Sequence, residues 1–222
     1  MCGRFALHAS PEVVALQFGL DSVPAFTPRY NIAPASQVLV VREDGAAMVR
    51  WGFVPRWAKS VNGRPPTGAG MNNARAETVA EKPSFREAFR RRRCLIPASG
   101  FYEWTLEGKL KQPYYIHPAA GELFALAGLW ERWEGRGGPL ETCAVITTEP
   151  NSVMAPIHER MPVIVDAANY GNWLSAGEPL QPLLVPCAPA SIVAHRVSRA
   201  VNDARRDDPG LVEPEGRERS SM

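Results

Sequence analysis

Long apolar runs are missing from this chain: no stretch approaches eighteen consecutive apolar residues, so a membrane-spanning helix is not expected. The N-terminus lacks a charged segment followed by an apolar one, and secretion is not expected either. Cysteine is scarce. The four present, Cys2, Cys94, Cys143 and Cys187, lie far apart with no C-x-x-C pair, which argues against a zinc site or a disulfide framework. A reducing compartment fits this usage, and the cytoplasm is the expected location. Lysine is rarer than its partner cation, with 4 lysines against 21 arginines. That bias suits bidentate phosphate contacts, although a GC-rich genome would produce it equally. Net charge is only +2. Residues 203–222 hold six acids and four arginines, which leaves +4 on residues 1–202. The body is therefore mildly basic.

What is present supports one core. A chain of 222 residues that is 45% hydrophobic buries enough surface for a single domain over 1–202. The charged, Gly- and Pro-punctuated tail over 203–222 is expected to be disordered. Ser10-Pro11-Glu12 opens a short helix running to about Gly19. Residues 21–35 read as a proline-rich loop, and Val38–Arg42 with Ala47–Trp51 as a hairpin turning at Asp44-Gly45. The Gly/Pro-rich stretch from Asn62 to Gly70 reads as flexible. Asn72–Thr78 leads toward helix, Ser84–Arg92 is a second helix, and β pattern dominates from Cys94 to Thr148 in a meander-like run. Beyond it come one helical turn (Asn151–Ala155), a strand (Met161–Val165), a helix (Ala167–Ser175) and short strands near Leu183–Val185 and Ile192–Val197. The run Arg90-Arg91-Arg92-Arg93 reads either as a solvated helix end or as a nucleic-acid patch.

Chemistry concentrates at a few positions. If the initiator methionine is removed, Cys2 carries a thiol and a free amine on adjacent carbons, and that amine has a reference pKa of about 7.7–8.0. Such an aminothiol condenses with an aldehyde and closes a thiazolidine ring; the alternative is a small apolar residue at the start of a strand. Glu103, flanked by Phe101, Tyr102 and Trp104, is expected to have a raised pKa if buried, and alternation puts Tyr102 and Trp104 on the opposite face. Otherwise it is a surface glutamate. His158 and Arg160 share a face of an extended segment and suit proton transfer beside a phosphate, unless His158 merely packs at a strand entry. His8, His117 and His195 read as structural or surface residues. Asn73 and Arg75 bracket Ala74 and can aim an amide and a guanidinium at one ligand. Arg4 extends from the same terminus as Cys2. Trp51, Trp57 and Trp104 are candidate platforms for nucleic-acid bases.

Taken in order, Met1-Cys2-Gly3-Arg4-Phe5, Tyr30-Asn31-Ile32-Ala33-Pro34, Trp51-Gly52-Phe53-Val54-Pro55-Arg56-Trp57, Asn73-Ala74-Arg75-Ala76-Glu77-Thr78, Arg93-Cys94-Leu95-Ile96-Pro97, Gly100-Phe101-Tyr102-Glu103-Trp104, Ala127-Gly128-Leu129-Trp130 and His158-Glu159-Arg160-Met161-Pro162 resemble the blocks of the SOS response-associated peptidase family of abasic-site processing proteins. The resemblance implies a single α+β domain, a distorted antiparallel β-barrel-like core with short peripheral helices. It implies a basic cleft for single-stranded DNA containing abasic sites, no metal, no cofactor and no membrane, with a monomer that joins the nucleoid when bound to DNA. By matching motif, Cys2 looks like the residue that forms a covalent thiazolidine with the ring-opened sugar, shielding it from strand cleavage. Asn73, Glu103 and His158 look like the other catalytic residues. Arg4, Arg75 and Arg160 look like phosphate contacts, with Trp57, Trp104 and Pro34 also at the DNA. An autopeptidase activity exposing Cys2 and a weak lyase activity are implied as well. Two rivals stand beside this: an amidohydrolase using an N-terminal cysteine, and a non-catalytic single-strand-binding module.

Overall fold

Two sheets divide the strands of the computed structural model, which describes residues 2–60, 66–68, 70–135, 138–175 and 180–216. In chain order the first six strands are β1 (Phe5–Leu7), β2 (Arg29–Ile32), β3 (Gln37–Arg42), β4 (Gly45–Trp51), β5 (Asn73–Arg75) and β6 (Arg93–Ala98). They are followed by β7 (Gly100–Glu107), β8 (Leu110–Pro118), β9 (Phe124–Trp133), β10 (Leu140–Thr148), β11 (Met161–Pro162) and β12 (Ile192–Arg196). The first sheet is antiparallel in the order β12-β8-β7-β1-β2. The second runs β11-β10-β4-β3-β6-β9, and β9 pairs back onto β10, closing a ring. Antiparallel pairing dominates, as expected, but β10 also pairs in parallel with β4 and with β5. The architecture is therefore a barrel-like closed sheet flanked by a second sheet, not a simple meander.

Local chemistry explains the elements. Helix α1 (Pro11–Phe18) starts at an N-cap, Ser10, whose side chain accepts from the Val13 N–H, and stops at Gly19 in the left-handed region (φ 64°). The β3–β4 hairpin turns on Glu43-Asp44, one residue earlier than its Asp-Gly signal, with Arg42 paired to Gly45. The β7–β8 hairpin turns at Gly108, whose φ of 63° a two-residue loop favours. At Gly100 the chain passes from the ring to the other sheet, and only a glycine fits: a Cβ there would lie 2.4 Å from the Tyr115 ring and 2.6 Å from the Ile116 carbonyl.

The principal core includes Phe5, Trp51, Phe101, Ile116 and Val145. A second cluster seats α2 (Arg86–Arg91) and α3 (Tyr170–Leu174) through Phe89 and Trp173. Trp51 is fully buried, its ring edge-on to Phe5 and its Nε1–H given to the Asn72 carbonyl, which removes it from the candidate base platforms. The arginine run is divided by burial. Arg90 and Arg91 are exposed, Arg92 pairs with Glu131 at 2.8 Å, and Arg93 is buried against carbonyls of Phe89, Arg90, Trp173 and Ser175.

Several expectations need correcting. The proline-rich loop contains strand β2, because Phe5 and Leu7 pair with Ile32 and Arg29. Asn73–Arg75 is a strand, not a helix entry, because it adds to β10. Leu183–Val185, expected as a strand, instead closes a 3-10 turn (Gln181–Leu183) and continues as a bend. The tail from 203 is not disordered through Gly216. Val201 and Leu211 are buried with Tyr102 and Tyr115, Val197 bridges Pro214, and Asp207 accepts from the Tyr30 and Asn31 amides. Residues 217–222, and most of the stretch from Asn62 to Gly70 expected to be flexible (62–65 and 69), lie outside the described residues. Among the described residues no helix is long and apolar enough to cross a membrane.

Candidate active site

The site forms where the chain's first residues join β7. Phe5 pairs with Phe101, and the Tyr102 amide donates to the Arg4 carbonyl at 2.9 Å. Continuing that register brings Glu103 alongside residues 2–4. Tyr102 packs in a different cluster, with Trp104 against it, so alternation directs Glu103 to the opposite face.

Cys2 is fully buried. Its carbonyl accepts a hydrogen bond from Asn73 Nδ2 at 2.9 Å. Asn73 is placed by parallel pairing with Val145 on β10, while Ala74 next to it turns into the core. The Asn73 Oδ1 is buried with no hydrogen-bond partner among the described residues, an acceptor oriented beside Cys2. Burial, reinforced by the Glu103 charge, pushes the Cys2 thiol well above the ordinary thiol range. The resting sulfur is therefore protonated, and its use as a nucleophile requires a nearby base.

Glu103 meets that requirement. It is 2% exposed, and burial lifts its carboxyl to about 7, where it gives and takes protons with equal ease. His158 Nε2 lies 3.8 Å from Glu103 Oε2. Burial lowers the His158 pKa, favouring neutral imidazole. The backbone of Arg160 offers Nδ1 both an N–H at 2.9 Å and a C=O at 3.2 Å. The first suits the neutral ring and the second the charged one, so the local backbone accommodates either side of a proton transfer.

His158 ends a turn built by Asn151, which sequence reasoning missed. The buried Asn151 side chain accepts from the Val153 and Met154 amides and donates to the Cys187 carbonyl, and the His158 amide then bonds to Met154 O at 2.9 Å. A helical turn was legible there, but its organising side chain was not.

The expected DNA contacts are less uniform. Arg75 is exposed. Arg160 makes a bidentate pair with Glu77 (2.6 and 3.0 Å) and also donates to the Thr147 carbonyl at 2.6 Å. Arg4 turns away from Cys2, donating to Asn31 Oδ1 at 2.6 Å and to Val201 O at 3.0 Å. Trp57 is 67% exposed. Trp104 lies on the face opposite Glu103 and gives its indole N–H to Asn202. Pro34 is half-buried, next to Ala35 in the left-handed region. Cys2, Asn73, Glu103 and His158 thus converge directly, and Arg160 joins them through His158. Arg4 and Trp104 are held by the C-terminal segment. The other three histidines also meet, away from these residues: His8, His117 and His195 surround Tyr115 beside a cavity of about 430 Å³. Among the described residues no group of three or more His, Cys, Asp or Glu is arranged to hold a metal ion.

Known proteins match along the length of the chain. The family model described as SOS response associated peptidase (SRAP) matches residues 1–204. The chain is 42% identical to the abasic site processing protein YoqW of Bacillus subtilis, covering 96% of this chain and 99% of that protein. Identity to abasic site processing protein YedK of Escherichia coli is 29%, over 96% and 100%. For the abasic site processing protein HMCES of Xenopus tropicalis it is 33%, over 83% of this chain and 65% of the relative. The crystal structure of a Bacteroides thetaiotaomicron protein superposes with a TM-score of 0.88 at 27% identity, covering 96% and 99% of the two chains.

Proposed function

Because the chain belongs to the SOS response-associated peptidase family, we propose that it processes abasic sites in DNA, and that it does so by trapping the damaged sugar covalently on Cys2. The observation that carries the reading is the convergence of Cys2, Asn73, Glu103 and His158 at one end of β1 and β7. A buried thiol, a carboxyl poised near neutrality, an imidazole beside it and an unsatisfied amide oxygen are the parts this condensation needs.

An abasic deoxyribose is mostly a closed hemiacetal. His158, charged transiently, gives a proton to the ring oxygen, the C1′–O4′ bond breaks, and the C1′ hydroxyl loses its proton to solvent to leave the open aldehyde. Once Met1 is removed, the Cys2 amine attacks C1′ while Asn73 orients it, Glu103 takes a proton from the nitrogen, and the carbinolamine loses one water to give an imine. The Cys2 sulfur then bonds to the imine carbon as its proton passes to nitrogen, closing the thiazolidine. The net change is aldehyde plus aminothiol to thiazolidine plus water. An imine left open beside a 3′ phosphate undergoes β-elimination, so sulfur capture protects the strand, and loss of the thiol alone leaves weak lyase activity. Removal of a leader ahead of Cys2 by the same acid and base is the corresponding peptidase reaction. The substrate is single-stranded, because base stacking and pairing in a duplex keep the sugar from a buried nucleophile, and the protein acts as a monomer in the cytoplasm, on the nucleoid.

Cys2→Ala tests the reading. The wild-type chain mixed with an abasic oligonucleotide is expected to give a species that survives denaturing electrophoresis, with the summed mass less Met1 and one water. The variant is expected to give none, and undiminished crosslinking by it would exclude thiazolidine chemistry at this position.

A further inference from the structure

Arg160 is paired with a carboxylate that the proposed reaction leaves unused. Glu77 follows β5 by two residues, and both its oxygens accept from the Arg160 guanidinium, at 2.6 and 3.0 Å. That fork-to-fork geometry is the one a guanidinium adopts on a phosphate. Arg160 is largely covered, 13% exposed, whereas Glu77 is half-exposed at 51%. The acid therefore sits on the solvent side of the pair, where an incoming DNA backbone arrives. Arg160 is also bonded to the Thr147 carbonyl, so the guanidinium stays in place when Glu77 leaves. The Glu77 carboxyl is held below its ordinary value chiefly by the Arg160 hydrogen bonds, with the Arg75 charge adding to them. The Glu77 carboxylate is thus paired with Arg160 and also feels the Arg75 charge.

We infer that Glu77 is an internal surrogate for a DNA phosphate, occupying Arg160 in the free protein and setting the threshold that a strand must exceed to bind. This rests on the proposed function, since it assigns Arg160 and Arg75 to a DNA backbone. A strand that engages Arg160 must displace Glu77 and tolerate its charge nearby. Undamaged single strands, held only through phosphates and stacking, are then released readily. A strand with an abasic site is retained because the covalent bond at Cys2 follows. Glu77 is a specificity-determining residue in this scheme and touches neither the sugar nor Cys2.

The test uses the full chain with Met1 removed, an undamaged oligothymidylate and an abasic oligonucleotide of the same length. Anisotropy of the undamaged strand is measured across a salt series, and crosslinking of the abasic strand is measured with excess undamaged competitor. Glu77→Gln is expected to bind the undamaged strand on the order of five-fold more tightly at low salt, the size of one exposed charge pair. Its salt dependence should steepen by about 0.7 in log–log slope, one additional phosphate on a single strand. Crosslinking under competition should fall in proportion. Glu81→Gln removes an exposed acid nearby and is expected to change none of these. Unchanged or weaker binding by Glu77→Gln, or an equal gain in Glu81→Gln, overturns the inference. If wild-type protein crosslinks normally and Glu77→Gln shows no gain, only the surrogate role is lost. A gain in a protein that never crosslinks would remove the covalent reading and leave the threshold.

Discussion

At the scale of single residues, burial sets the chemistry of the site. Glu103 gains its proton affinity from lost hydration, so its carboxyl, ordinarily near 4.5, sits at about 7 in the folded protein. A carboxyl raised on folding contributes stability that is complete below its unfolded value and is lost as pH rises through its folded one. Replacing Glu103 by Gln is therefore expected to stabilise the protein above pH 7 by on the order of 3 kcal/mol, with the advantage vanishing near pH 4.5. Urea midpoints of both proteins across pH 4–8 check this. The same variant should crosslink about 10²-fold more slowly, and wild-type rates should fall as pH drops below 7. The aromatic neighbours of Glu103 made that shift legible in the sequence. The Glu77–Arg160 pair was not legible, because residues 83 positions apart leave no local pattern.

At the scale of elements, hairpins and the first helix could be read, since turn glycines, a Ser-Pro cap and alternating apolar residues act within a few positions. Strands β2 and β5 could not. They have four and three residues, too few to show a period, and they exist only because β1 and β10 offer open edges. Arg93 shows the same limit. It read as part of a solvated basic run, yet its guanidinium ties the end of α2 to α3 through four carbonyls. Lysine keeps the charge but cannot meet that flat, divergent set. Arg93→Lys is expected to lower stability by about 2–4 kcal/mol, measured as a shift in the denaturant midpoint with an unchanged slope.

For the whole molecule, the C-terminal segment is the largest departure from what composition suggested. Its charges read as solvated, but Asn31 donates to the carbonyls of Val201, Asp203 and Arg206, and Leu211 is 1% exposed. Two buried apolar residues ten positions apart are too sparse for any periodicity to reveal. A chain ending at residue 202 is expected to lose about 2–5 kcal/mol, the scale of one large buried side chain, and to unfold at lower urea. A truly disordered tail would leave the midpoint unmoved.

Complete enclosure of Cys2 also carries a requirement of timing. An aminopeptidase cuts the starter methionine away most readily while that end is still loose, before the sheets form around Cys2. Synthesis provides the interval: Cys2 is made about 150 residues ahead of His158, which at roughly 5–20 residues per second is on the order of ten to thirty seconds. Protein refolded from chains that kept their methionine is left to the slower peptidase reaction of the site itself and is expected to gain crosslinking activity only gradually.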